Sequence, residues 1–360
     1  MRMRIAFFNW RDIRNPLAGG SEVYVHEVLS RLAERGHRVT LFTSSFPNSR
    51  ARETIDGIEH VRYGGKYSMF AKTESCYSKY VRGRYDVVAE SINGVPFFTP
   101  LFARERTVAL IHQLTRDNWF SGLIFPAALL GYYAEDTLLS FYRDVRCIVP
   151  SASTKTDLEG LGFSDVNTVH GASNISIEPR PGKEKALLYL GRLTKSKRVS
   201  HVIRAFRKIH EKYPDYELWV AGSGSERESL VKLARSLKIP ARFFGHVSRE
   251  KKVELLSKSA AMLLPAKREG WGLVVLEANS CYTPVIGYDV HGLRDSIRPG
   301  VNGMLVPDGD ISGLADAACS IIRDGALLEG MCEYAKDYSR GFSWDKAASE
   351  FEALLGGGVL

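Results

Sequence analysis

Glu269-Gly270-Trp271-Gly272-Leu273-Val274-Val275-Leu276-Glu277 sets two carboxylates eight positions apart around a Gly-X-Gly loop that runs into an apolar helix start. Just upstream, Ala261-Met262-Leu263-Leu264 reads as a buried strand, closed by Pro265. The stretch is therefore strand, glycine loop, helix. A helix N-terminus carries unpaired backbone N–H groups and a partial positive charge, which suit an anion such as a diphosphate. Gly270 and Gly272 let that backbone come close to a ligand. One carboxylate before the loop and one inside the helix can accept hydrogen bonds from two sugar rings. An ordinary strand-to-helix loop of a doubly wound domain is the plain alternative.

Elsewhere the chain alternates strand and helix signals, which argues for parallel sheets. Arg4–Phe8, Val39–Thr43, Val87–Ala89, Val108–Ile111 and Cys147–Val149 are apolar runs in the first half. Val25, Val28, Leu29 and Leu32 recur at helical spacing, with Ser21 as the expected cap and Gly36 as the terminator. In the second half, strands are expected at Ala186–Leu190, Leu218–Ala221, Phe243–Phe244 and Val285–Ile286, with helices over 199–210 and 226–237. The polar stretch Ser176–Lys185, with Pro179, Pro181 and Gly182, reads as a linker. The expected domains are thus 1–175 and 176–341, followed by a terminal helix over 342–356.

At 360 residues the chain is long enough for two domains, and 44% hydrophobic with 25% charged residues is a globular composition. Five scattered cysteines with no C-x-x-C pair argue against a disulfide framework or zinc site and for a reducing compartment. The N-terminus runs straight into a strand without a signal-peptide pattern. The net charge of +8, with basic residues in both halves, favours anionic partners such as nucleotide diphosphates or anionic lipid surfaces. With no helix-turn-helix, finger or RNA-binding signature, nucleic acid is not an expected partner. The uncharged stretch Phe120–Ala134 is too short to span a bilayer. It reads either as a buried helix or loop of the first domain or as an apolar surface near the acceptor site touching membrane or a lipid-linked acceptor.

Further residues can carry chemistry. Gly191-Arg192-Leu193-Thr194-Lys195-Ser196-Lys197 follows a strong strand, and Arg192 and Lys197 put two cations where a leaving diphosphate would gather charge. Gly222-Ser223-Gly224 lacks the third glycine of the dinucleotide fingerprint, since Arg227 stands there. Gly245-His246-Val247 is a comparable turn. Gly19-Gly20 opens a helix and offers a second anion-facing backbone. His112 ends an apolar strand, where an imidazole can donate to a hydroxyl or move a proton. No Asp-x-Asp pair suggests a divalent metal.

These motifs together resemble the retaining glycosyltransferases of family 4, which have the GT-B fold. The Glu-x7-Glu segment, Gly191-Arg192-Leu193 with Lys197, Thr283–Ile286, Gly292–Asp295 and Gly303–Pro307 all fit that family's pattern. Arg198 departs from it, standing where the family has glycine. The resemblance implies an α/β chain of two Rossmann-like domains facing a cleft, an acceptor-binding first domain and a donor-binding second one, with the terminal helix packing back on the first. It implies catalytic roles for His112, Glu269, Arg192 and Lys197. It places the donor on Gly19, Gly20, Gly222, Val247, Gly270, Trp271, Gly272, Leu273 and Glu277, with Glu277 on the ribose and Glu269 on the sugar. The implied reaction moves a hexose-type sugar from a nucleotide diphosphate, UDP favoured and GDP-mannose as second choice, without cofactor or metal. The acceptor is a hydroxyl of a glycan, glycolipid or lipid-linked compound. The implied location is cytoplasmic, with peripheral contact at the inner face of the membrane. A nicotinamide-dependent oxidoreductase and a non-catalytic nucleotide-binding protein of the same fold are the rival readings.

Overall fold

A computed structural model of the chain describes residues 2–116, 119–122 and 125–358. The chain divides into two compact units, Met1–Gly171 with Trp344–Leu360, and Ala172–Ser343.

Unit 1 runs β1 (Arg4–Phe8), α1 (Gly20–Glu34), β2 (Arg38–Thr43), β3 (Arg52–Ile55), β4 (Ile58–Arg62), α2 (Ser68–Cys76), β5 (Val87–Ile92), β6 (Arg106–Ile111), α3 (Trp119–Gly122), α4 (Phe125–Leu139), β7 (Arg146–Val149), α5 (Ala152–Gly160) and β8 (Val166–Thr168). Its described strands form an eight-stranded sheet in the order β3-β4-β2-β1-β5-β6-β7-β8. All pairings are parallel except the β3–β4 hairpin. The central strands are buried on both faces, as parallel sheets are, so Ile5–Phe8 and Val108–Ile111 are almost wholly covered. The terminal helix, Trp344–Gly356, packs in this unit: Trp344 lies edge-on to Tyr24 with ring centroids 5.5 Å apart, and Arg35 pairs with Glu352 at 2.9 Å. The α1 helix is capped at Gly19, not Ser21. Glu22 Oε2 accepts from the Gly19 N–H at 2.7 Å, and Ser21 lies inside the first turn. A carboxylate at the third helical position reaches the free N–H more directly than a serine already inside the helix.

Unit 2 runs β9 (Ala186–Leu190), α6 (Val199–Lys212), β10 (Glu217–Ala221), α7 (Arg227–Ser236), β11 (Ala241–Gly245), α8 (Arg249–Lys258), β12 (Ala261–Leu264), α9 (Leu273–Ser280), β13 (Val285–Tyr288), α10 (Leu293–Ser296), β14 (Gly303–Val306), α11 (Ile311–Arg323) and α12 (Gly325–Arg340), before the terminal helix α13. The sheet is parallel in the order β11-β10-β9-β12-β13-β14. Each helix supplies an apolar stripe to one core; on α6 it is Val199, Val202, Ile203, Phe206 and Ile209.

Basic residues occur in both units, but the net excess is uneven. Unit 1 carries 22 Lys and Arg against 21 Asp and Glu, unit 2 carries 27 against 20. Nearly all the positive excess therefore belongs to unit 2.

All five cysteines are buried. Burial pushes the thiols of Cys76 and Cys281 up to about 12 and that of Cys147 higher still. Among the described residues no helix is long and apolar enough to cross a membrane. Of the uncharged stretch 120–134, Leu123 and Ile124 lie outside the described residues. On α4, Phe125, Leu130 and Tyr133 are each more than two-thirds exposed, so this helix is not the buried element that was one of its two readings.

Unit 1 also buries charge. Arg62, with a fully covered side chain, bonds Asp12 at 2.7 Å and Glu53 at 2.5 Å. Burial alone would raise the Asp12 carboxyl, but the hydrogen bond and charge of Arg62 hold it below the usual carboxylate range. His60 beside them is fully covered, and no described group bonds either ring nitrogen. Burial lowers His60 to about 4, and His112 likewise to about 4. An unfolded histidine takes up its proton near pH 6.5, these two only near 4, so stability is fully present above 6.5 and is lost as pH falls towards 4. The loss is up to about 3 kcal/mol per histidine. His60→Gln is therefore expected to flatten the fall in melting temperature between pH 7 and 5; an unchanged slope would show that His60 does not titrate on unfolding.

Candidate active site

The strand order of unit 2 reverses at β9. From there the chain moves outward to β10 and β11, then returns to β12 on the other side. The loops leaving β9 and β12 must part in opposite directions, and the crevice between them is where doubly wound sheets bind ligands. Arg192 and Lys197 leave β9; Glu269 to Leu273 leave β12. The sequence-chosen residues of this unit thus collect on one sheet edge.

The loops are tied by backbone. Gly222 N–H donates to Gly245 O at 2.7 Å, Leu193 N–H to Ser223 O at 2.9 Å, Lys267 N–H to Ser196 O at 2.9 Å, and Glu269 N–H to His291 O at 3.0 Å. Gly222 is there for space: a Cβ at this position would lie 1.9 Å from the Gly191 carbonyl oxygen. Gly292 does the same on the other side, since its Cβ would lie 2.2 Å from the Glu269 carbonyl oxygen. Val247 follows β11 and is partly buried against the core.

Lys197 and Glu269 form an ion pair across the switch point, with side chains 17% and 18% exposed. Glu277, on the second turn of α9, pairs with Lys252 of α8 at 2.6 Å. Both carboxylates of the Glu-x7-Glu segment are thus held by a lysine. Arg192 is exposed, and its guanidinium has no ion-pair partner among the described residues. The Trp271 indole is 4% exposed and packs against Phe342 with centroids 5.5 Å apart, so what Trp271 offers a ligand is backbone. Gly272 caps α9, whose first-turn N–H groups at Leu273 and Val274 have no intrahelical acceptor. The other end of α9 is occupied by cations: Lys336 Nζ donates to Ser280 O at 3.1 Å and Lys183 Nζ to Cys281 O at 3.4 Å. Cations there complement the helix dipole, and no acidic residue in the first turn offsets its positive end. Burial lowers Lys183 to about 8. Arg198, where a glycine was expected, does adopt a left-handed φ of 49° and pairs with Asp308.

Gly19, Gly20 and His112 belong to unit 1, whose own strand order reverses between β1 and β5. Gly19 and Gly20 leave β1 at that point. His112 follows β6, is 7% exposed, meets Ser91 through Nε2 at 3.0 Å and lies edge-on to Tyr24. Buried and neutral, its imidazole can donate at one nitrogen and accept at the other. Sequence reasoning did not name Ser91, Lys252 or Glu90. Glu90 is fully covered and accepts from Phe97 N–H, Thr99 N–H, Thr99 Oγ1 and Tyr142 OH at 2.6–3.1 Å, fixing the loop after β5. Two polar residues, Glu90 and Ser91, inside an otherwise apolar strand were the available signal. Among the described residues no group of three His, Cys, Asp or Glu side chains could hold a metal.

Known proteins share this architecture. Residues 18–176 match the family model described as Glycosyltransferase Family 4, and residues 172–338 the one described as Glycosyl transferases group 1. The chain is 35% identical to N-acetyl-alpha-D-glucosaminyl L-malate synthase of Bacillus anthracis, with 94% of each chain covered. Sucrose-phosphate synthase from Thermosynechococcus elongatus superposes with a TM-score of 0.82 at 20% identity, covering 99% of each chain. Anabaena HepE, solved with UDP-glucose, superposes with a TM-score of 0.76 at 15% identity over 99% of this chain and 100% of that one.

Gly292→Ala and Gly300→Ala separate two costs of replacing glycine. Both glycines have φ near +80°, but nothing lies within 4 Å of a Cβ at Gly300. Gly300→Ala is expected to cost about 1 kcal/mol, the conformational penalty alone. Gly292→Ala should cost at least about 2 kcal/mol more by denaturant unfolding, since the Glu269 carbonyl must move. Equal costs would show that the Glu269 loop is free to shift.

Proposed function

The chain belongs to glycosyltransferase family 4, a family of glycosyltransferases with the GT-B fold, and from that premise we propose that it is a retaining, metal-independent transferase using a UDP-sugar. The observation that carries this reading is the meeting of Lys197 and Glu269 at the switch point beside the open N-terminus of α9.

In this reading the diphosphate sits at the first turn of α9, on backbone N–H groups from Gly272 onward. Arg192 and Lys197 face the phosphates and offset the charge that grows as the glycosidic bond breaks, the task a metal ion performs elsewhere. Glu269 accepts from donor-sugar hydroxyls once Lys197 turns to phosphate. Glu277 accepts from the ribose, and the turns at Gly222 and Val247 line the nucleoside. Within unit 1, Gly19, Gly20 and His112 lie at strand ends of that unit's own sheet, and the neutral His112 can donate to a sugar hydroxyl. The incoming hydroxyl attacks from the face the diphosphate leaves, and the departing phosphate oxygen takes its proton. No second carboxylate nucleophile is then needed, in contrast to the paired carboxyls of a retaining glycosidase. The choice of UDP draws support from HepE, whose structure holds UDP-glucose. The positive excess of unit 2 fits a nucleotide diphosphate in that unit.

The test is a thermal-shift panel of UDP, GDP, ADP, TDP and NAD with EDTA present. At a hundredfold excess over Kd, binding to the folded state alone adds about 2.7 kcal/mol. One nucleoside diphosphate, expected to be UDP, should raise the melting temperature, and Glu277→Gln should remove most of that rise. A shift with NAD alone, or one that EDTA abolishes, overturns the reading.

Peripheral membrane contact would use the exposed Phe125, Leu130 and Tyr133 of α4. Because unit 1 is almost neutral, such contact is apolar, and vesicle binding should persist at 0.5 M salt, on the order of a 4 Å Debye length. Serine at all three positions should abolish vesicle co-sedimentation; wild type that never sediments rules the contact out.

A further inference from the structure

Unit 1 has a second polar feature that the proposed chemistry leaves unused. At the outer edge of its sheet, an open cavity of about 520 Å³ is lined by Arg14, Arg50 and Arg52, with Phe46, Asn48, Ser49, Glu53 and Thr54. Three guanidinium groups share this space with one carboxylate. That carboxylate is already engaged: Glu53 bonds the buried Arg62 at 2.5 Å, which holds it ionised and turned inward. Arg14 approaches Glu53 only to 3.9 Å, and Arg52 reaches Glu59 only at 3.9 Å. Neither is a hydrogen bond. Arg50 has no ion-pair partner among the described residues, and its exposed side chain is free to turn.

The walls are built. Arg62 Nη1 donates to the Arg50 carbonyl at 2.8 Å and its guanidinium lies 5.0 Å from the Phe46 ring centroid. The Phe46–Ser49 turn is closed twice, by Ser49 N–H to Phe46 O and by Phe46 N–H to Ser49 Oγ, each at 3.0 Å. Asp12, paired with Arg62, accepts from the Arg14 N–H at 2.9 Å and so fixes where Arg14 leaves the chain. Arg14 also stands on the segment between β1 and α1 that ends in Gly19 and Gly20. The cavity and the glycine turn are thus two ends of one anchored loop.

An open cavity lined by three guanidinium groups, two in long ion pairs and one without an ion-pair partner among the described residues, suits an anion. Guanidinium forks match the paired oxygens of phosphate and carboxylate and bind them bidentately. We infer that this cavity holds the phosphate or carboxylate of a small, soluble acceptor, so that the sugar is transferred to a hydroxyl of an anionic molecule. The inference rests on the transferase reading for the word acceptor; the anion site itself does not.

The experiment is calorimetric titration of the full chain with inorganic phosphate and, separately, L-malate, with UDP saturating so that the donor phosphate positions are filled. Wild type is compared with Arg14→Gln/Arg50→Gln, whose exposed side chains are not part of the buried cluster, and with Arg192→Gln. Wild type and Arg192→Gln are expected to bind at least one anion with equal affinity. The double variant should bind it at least tenfold more weakly while keeping its UDP affinity. Unchanged anion affinity in the double variant overturns the site, as does wild type that binds neither anion. Binding of vesicles with anionic headgroups that the double variant loses, without binding of the free anions, assigns the arginines to a lipid surface and overturns the soluble acceptor. Failure of UDP to bind at all, with the anion still bound and still lost in the double variant, strikes the transferase reading and leaves the anion site standing.

Discussion

Everything at the candidate active site follows from a reversal in strand order. A parallel sheet built outward from β9 in one direction, then from β12 in the other, leaves two neighbouring loops with no helix between them. That gap must be closed by side chains and loop backbone. Here it is closed by a lysine and a glutamate from opposite sides and by carbonyls packed so tightly that neighbouring positions must be glycine. The pair is partly exposed, so its lysine and carboxylate can exchange each other for a ligand at small cost, which a fully buried pair could not do.

Much of the fold was legible because apolar strands and amphipathic helices obey their periods. Val199 to Ile209 reads as a helix, and the structure makes it one. The hairpin β3–β4 was not read, although Ile55-Asp56-Gly57-Ile58 carries a turn signal: Asp56 and Gly57 both have positive φ, as a tight hairpin turn requires. Arg52 and Glu53 hid it, since an edge strand with charges lacks the apolar alternation by which strands are recognised. The expected strand at Val87–Ala89 stopped three residues short for a related reason. Glu90 is charged by composition but buried in fact, raised by burial and satisfied by four hydrogen bonds that the linear sequence does not display.

The site was legible in a different sense. Glycine spacing and the two carboxylates led to residues that gather at one switch point of the sheet, because those residues are adjacent in sequence to strands that had been recognised. The partners were not legible. Lys252 lies 25 positions from Glu277 and Ser91 lies 21 from His112. Each joins its partner only because the topology lays one element beside another. Arg62 is the extreme case: nothing local marks it as a covered guanidinium shared by two carboxylates.

The cysteines have a consequence of a practical kind. All five sit in cores with thiols held protonated far above neutrality, and only the thiolate reacts with alkylating or oxidising reagents. Burial of all five thiols is therefore expected to make the folded protein slow to react with maleimides without any mutation. A single cysteine placed on the exposed face of α4, and another on the exposed face of α7, would be the sole sites of labelling. A dye pair attached there could report the distance between the two units as ligands come and go, in the native chain with its own thiols intact.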